Sequence, residues 1–188
     1  MKYPLLASLL LAVSAATCRA EAVNIVNLGS DDPIELFLKT DGQKTSFKLD
    51  HGMDSGYFLL SDKGDKVDVA QDHIPDLDIP GTKSRTIAIL HKQEEAFKWK
   101  LVAPDAKGDK WSFRIVNLTG KDVPVTREGN VSIHASDSVT EIPVKGNKDL
   151  RVKIAEVLDE RYEGKEPISV TAVLYLEGEK IKVIYISG

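Results

Sequence analysis

The stretch Ile25-Val26-Asn27-Leu28 decides how this chain is read, because it returns as Ile115-Val116-Asn117-Leu118 ninety positions later. Each copy runs straight into turn-forming residues. These are Gly29-Ser30-Asp31-Asp32-Pro33 in the first case and Thr119-Gly120-Lys121-Asp122 in the second. A short apolar, β-branched run that ends in a turn reads as a strand. Its recurrence marks the opening of a β-unit of about eighty residues that is used twice. The asparagine inside the run has a structural role open to it, since its carboxamide can bond nearby backbone and shape the turn that follows.

A second pair of anchors supports the repeat. Thr86-Ile87-Ala88-Ile89-Leu90 followed by Phe97-Lys98-Trp99-Lys100-Leu101 parallels Val170-Thr171-Ala172-Val173-Leu174 followed by Ile181-Lys182-Val183-Ile184-Tyr185. Ala88 matches Ala172, an offset of eighty-four, so the second copy is about six residues shorter between the anchors. Alternation puts Phe97, Trp99 and Leu101 on an inward face, with Lys98 and Lys100 outward. Asp41-Gly42 between two strand-like runs predicts a hairpin.

About seven short strands are expected in each copy, with turns every eight to twelve residues and almost no helical periodicity. The expected fold class is all-β: two tandem antiparallel β-sandwich (immunoglobulin-like) domains after an N-terminal signal peptide. The boundaries are 1–20 for the signal peptide, 21–103 for the first sandwich, 104–110 for a polar linker and 111–188 for the second sandwich. One larger sandwich or barrel joining both halves is the alternative. Domains this small bury little more than about 60% of their unfolded surface, so contact between the copies is expected to add stability. Ile181–Ile186 is a terminal apolar strand that could pair with a partner if it lies at an edge.

The first twenty residues look like a leader. Lys2 supplies the basic start, Leu5 to Ala16 an apolar run, and Cys18-Arg19-Ala20 a small-residue cleavage site. Export to the periplasm or medium follows. Cys18 is the only cysteine among the 188 residues. It is discarded with the leader or, in a lipoprotein, acylated, and only then does a membrane enter. Without it the mature chain has no disulfide and no blue-copper ligand set.

Losing Lys2 and Arg19 with the leader takes the formal charge from −4 to −6. Such acidity argues against nucleic-acid binding. Aromatic content of 6% leaves little for a broad stacking platform. No Gly-x-Ser-x-Gly, His-Glu-x-x-His or glycine-rich phosphate loop occurs, so no catalytic residue and no cofactor is expected. The Asp/Pro-rich segment Gln71–Arg85 is read as a long surface loop. Asp72, Asp76 and Asp78 in it are candidate calcium ligands, because calcium collects six to eight oxygens. Trp111, beside the linker, is a candidate for stacking on a sugar ring. The charged segment Glu156–Pro167 is the matching loop of the second copy.

Phe113-Arg114-Ile115-Val116-Asn117-Leu118-Thr119-Gly120 resembles the opening strand and turn of small exported bacterial β-sandwich modules of unknown function. Ile25–Leu28 with Ile34–Gly42 is similar in the first copy. The resemblance implies a fold and an exported location, and carries over no catalytic residues. The expectation is a non-catalytic exported protein that binds another envelope protein or a glycan, or builds envelope structure. The alternative is a calcium- or carbohydrate-binding module using residues 71–85.

Overall fold

The computed structural model describes residues 22–40, 43–60, 64–81, 85–102, 112–127, 130–143, 150–154, 158–162 and 169–187. The expected leader with Cys18, the 104–110 linker and Trp111 lie outside them. The described chain is all-β. The first half holds β1 (Ala22–Asn27), β2 (Ile34–Thr40), β3 (Gln43–Leu49), β4 (Asp54–Leu59), β5 (Gly64–Val69), β6 (Leu77–Pro80), β7 (Arg85–Gln93) and β8 (Ala96–Val102). The second half holds β9 (Ser112–Asn117), β10 (Val123–Arg127), β11 (Asn130–His134), β12 (Val139–Pro143), β13 (Leu150–Ile154), β14 (Leu158–Tyr162), β15 (Ser169–Glu177) and β16 (Lys180–Ser187).

These strands form four four-stranded sheets, ordered β4-β1-β7-β8 and β3-β2-β5-β6 in the first half, and β12-β9-β15-β16 and β11-β10-β13-β14 in the second. Adding eight to each label of the first half reproduces the second. The two sequence anchors turn out to be hydrogen-bonded neighbours. Ile25 lies opposite Ala88 in a parallel pair, and Ile115 lies opposite Ala172 in the same way. Thr40 pairs with Gln43, as the Asp-Gly signal between them requires.

Among the described residues each half has eight strands rather than seven. The expected long loop Gln71–Arg85 contains β6, whose Leu77 and Ile79 point into the core. Glu156–Pro167 likewise contains β14, paired along its length with β13. Both strands are short: β6 has Asp78 between Leu77 and Ile79 and ends in Pro80, and β14 has Asp159, Glu160 and Arg161 between Leu158 and Tyr162, so neither shows a long alternation.

Alternate residues of the central strands serve different cores. Val23, Ile25, Ala88 and Leu90 join Ile34, Leu36, Val67 and Leu77 between the two sheets of the first half. Phe113, Ile115, Ala172 and Leu174 do the same with Val123, Val125, Val152 and Ile154 in the second. The opposite faces of those strands meet each other. Val26, Leu28, Ile87, Ile89 and Val102 pack with Val116, Val173 and Ile186 in a third apolar layer. The first half's outward face is therefore partly a junction: Lys100 Nζ reaches Asp137 Oδ1 of the other half at 2.9 Å. Phe97 and Trp99 pack on the first core as the alternation requires, while Leu101 is left exposed at the edge.

The junction has the form of a two-fold contact. His91 and Tyr175 occupy the same position on β7 and β15, next after Leu90 and Leu174. Gly52 and Asp137 occupy the same left-handed turn position, with φ of 72° and 56°. Tyr175 places its hydroxyl against Gly52 and its ring edge-on to His51, while Asp137 places its charge near His91. Exchanging the halves maps one contact onto the other.

The repeated asparagine is buried in both copies. Asn27 Oδ1 accepts the Ser30 N–H at 3.0 Å, and Nδ2 donates to the carbonyls of Ser30 and Leu49, each at 3.2 Å. Asn117 Oδ1 accepts the Thr119 N–H at 3.1 Å, and Nδ2 donates to Lys121 and His134 carbonyls at 2.8 and 2.9 Å. Each carboxamide thus closes its own turn and fastens the end of β1 or β9 to the end of β3 or β11 in the facing sheet. Gly29 allows the following backbone to press against His91, since a Cβ there would lie 3.1 Å from the His91 carbonyl carbon. Asn27→Ala and Asn117→Ala each orphan buried backbone groups, and each should cost about 1–3 kcal/mol in urea unfolding. A loss below about 0.5 kcal/mol, the usual range for surface substitutions, would remove the asparagine from this role.

Candidate functional site

The aspartates proposed as calcium ligands do not come together. Asp72 sits exposed in the turn after β5. Asp76 is engaged by its own half: Oδ2 lies 2.7 Å from Lys66 Nζ and Oδ1 accepts the Val69 N–H at 3.0 Å. The hydrogen bond from Lys66 and that from Val69 hold its carboxyl below the usual carboxylate range. Asp78 is exposed on β6 opposite Lys66. Among the described residues no group of three or more His, Cys, Asp or Glu is placed to hold a metal ion.

The rest of the segment is anchored as structure. Gln71 bonds the N–H of Glu35 and the carbonyl of Pro33, Ile74 is buried, and Trp99 Nε1 donates to the Pro75 carbonyl at 2.7 Å. The expected ligand loop is therefore a fastening of β5 and β6 onto β2 and β8. Charge and proline density was its only signal, and turns supply that signal too.

Among the described residues of the second half, β11 holds a nucleophile–base geometry. Ser132 Oγ lies 3.1 Å from His134 Nε2. A relay needs a third group to orient the imidazole, and here His134 Nδ1 is buried with no hydrogen-bond partner. Burial also lowers the basicity of the ring. The arrangement explains a packed histidine and gives no competent base. His134 stands where the first half has Leu49: each lies opposite the first inward residue of the neighbouring strand, Val123 or Ile34. His91 at the junction is likewise pushed down by burial, opposed by Asp137 and aided by Lys100 and Lys98.

The two halves differ at these edge strands. In β3, Phe47 and Leu49 share the core face with Leu36 and Ile34, while Lys44, Ser46 and Lys48 face outward. Lys44 lies 4.1 Å above the ring of Phe37 and covers it. In β11 the polarity is reversed. Ser132 and His134 share the inward face with Val125 and Val123, and the outward positions are Val131 and Ile133, 65% and 64% exposed. Asn130 and Ser132 are exposed as well.

Edge strands normally carry charge or proline that discourages further pairing. The four sheets present eight edges. Lysines mark β3, β8 and β16, Asp54 marks β4, Asp78 and Pro80 mark β6, Glu141 and Pro143 mark β12, and Asp159, Glu160 and Arg161 mark β14. Among these described strands β11, Asn130-Val131-Ser132-Ile133-His134, alone has neither a charged residue nor a proline. The terminal strand β16 is an edge too, but its apolar side chains are spent on the second and third cores. Sequence reasoning passed over β11 because its alternation looks ordinary until the neighbouring strand shows which face is inside.

No protein-family model matches the chain, and no curated protein matches it.

Two outcomes follow from this geometry. Millimolar calcium should leave the melting temperature unchanged, because Asp76 is committed to Lys66 and Val69; a rise on titration would restore the metal site. His134→Leu should reduce the acid sensitivity of the fold. The folded histidine titrates below its unfolded value of about 6.5, so the unfolded chain binds more protons and stability falls as pH drops through that value. Urea midpoints at pH 7 and pH 5 should differ less for the variant than for wild type, and equal differences would count against it.

Proposed function

We propose that this is a non-catalytic exported protein that works by binding, as a binding or cell-envelope structural module. In this reading residues 1–20 are a signal peptide. Two tandem immunoglobulin-like sandwich units follow, descended from one duplicated ancestor and packed face to face. The mature protein resides in the periplasm or outside the cell, or on a membrane if Cys18 is acylated. The matching strand orders and registers support duplication. The third apolar layer supports two units acting as one rigid body.

The observation that carries the binding role is the reversed polarity of β11. After duplication both copies kept the core, the asparagine fastening and the sheet order. They diverged at this edge, where two exposed β-branched side chains stand at the positions held by Ser46 and Lys48 in the first copy. Exposed apolar residues on an unguarded strand suit addition of a further strand, with main-chain hydrogen bonds supplying affinity and the alternate side chains specificity.

A photo-cross-linker tests this in the full-length chain. Benzoylphenylalanine in place of Ile133 should yield a discrete cross-linked product on irradiation of exporting cells. The same group in place of Lys48 should not. No product at 133, or equal products at both positions, would defeat the binding role for this strand.

A further inference from the structure

Resting on that binding role, we infer that the partner of β11 is β11 of a second copy of this chain, paired antiparallel about Ser132. The strand is self-complementary in that register. Ser132 is its central residue, so an antiparallel copy sets Ser132 opposite itself, Val131 opposite Ile133 and Asn130 opposite His134. Residues directly opposite share a face. Both Val131–Ile133 contacts therefore fall on the outward side, where those side chains are exposed. The sheet β11-β10-β13-β14 then continues through β11 into its copy as one eight-stranded sheet.

Charge selects the same edge. With neutral histidine β11 carries no ionised side chain, so nothing on the strand repels its own copy. The equivalent pairing of β3 would bring the ammonium groups of Lys44 and Lys48 together. Like charges directly opposite are destabilising. The two-fold arrangement is also the commonest in homo-oligomers. A five-residue strand with two apolar side chains per copy falls short of the roughly 1,200–2,000 Å² of a stable interface, so the pair is a weak one.

Sedimentation equilibrium of the full chain across micromolar to millimolar concentration tests the inference. The weight-average mass of wild type should climb toward twice the chain mass. Val131→Lys/Ile133→Lys, which restores lysine at the position of Lys48, should weaken association by roughly tenfold from two pairs of opposed like charges. Val131→Lys/Ile133→Glu should associate more strongly than the double lysine variant, because in this register each introduced ammonium faces the other copy's introduced carboxylate. All three should share one melting temperature within a few degrees, since both positions are exposed. Wild type that stays monomeric, or a double lysine variant that associates as wild type does, overturns the inference. So does a charge-swapped variant that behaves like the double lysine one. The cross-link separates the two levels. A product at Ile133 with the mass of the chain plus a different protein keeps the binding role and removes the second copy, whereas no product at all removes both.

Discussion

A buried carboxamide must have all its hydrogen bonds met, and in this protein that requirement is satisfied twice by the same design. Asn27 and Asn117 sit at the ends of β1 and β9, fully enclosed, with Oδ1 turned to their own loop and Nδ2 to the end of a strand in the facing sheet. An unmet amide there would cost about 1–3 kcal/mol. Its bond to the facing strand ties the two sheets together at this point, as well as closing the turn. The chain has no disulfide among its described strands to do this work, and apolar contacts alone are non-directional.

From that fixed point the central strands acquire two buried faces. β1 is buried along its whole length, and so are Thr86–His91 of β7. One face fills the core of its own half and the other meets the opposite half. A half of this size has limited apolar surface to bury, and the third layer adds to it. Its polar fringe is asymmetric. Where the first half presents Gly52 to Tyr175, the second presents Asp137 to His91 and Lys100. The same scaffold thus takes different ionic loads at the two ends of the exchange.

Constraint is strongest in the interior and weakest at the edges, which is where the copies part company. β3 keeps its lysines and covers Phe37 with one of them. β11 turns Val131 and Ile133 outward and buries a histidine where its counterpart has Leu49. An exposed edge costs little to alter in a folded chain, and an unguarded one invites strand addition. The aspartate-rich segment of the first half that draws the eye in the sequence serves packing instead. Lys66 with Asp76, and Gln71 with Pro33, fasten the fourth strand of a sheet.

The sequence by itself determined the all-β class, the repeat, the hairpin at Asp41-Gly42 and the inward positions of Phe97 and Trp99, because strand alternation and turn chemistry are local. It also singled out Asn27 and Asn117, though not the facing carbonyls they bind. Leu77–Pro80 and Leu158–Tyr162 were hidden, since a short strand with charge or proline among its few residues has the composition of a loop. Tertiary structure alone decided that Ile87 and Ile89 face the other half, that Asp72, Asp76 and Asp78 stay apart, and that Val131 and Ile133 lie outside. Those outcomes depend on which strands pair and which sheets stack. A period-two pattern separates two faces of a strand; only the neighbouring strand and sheet decide which of them meets water.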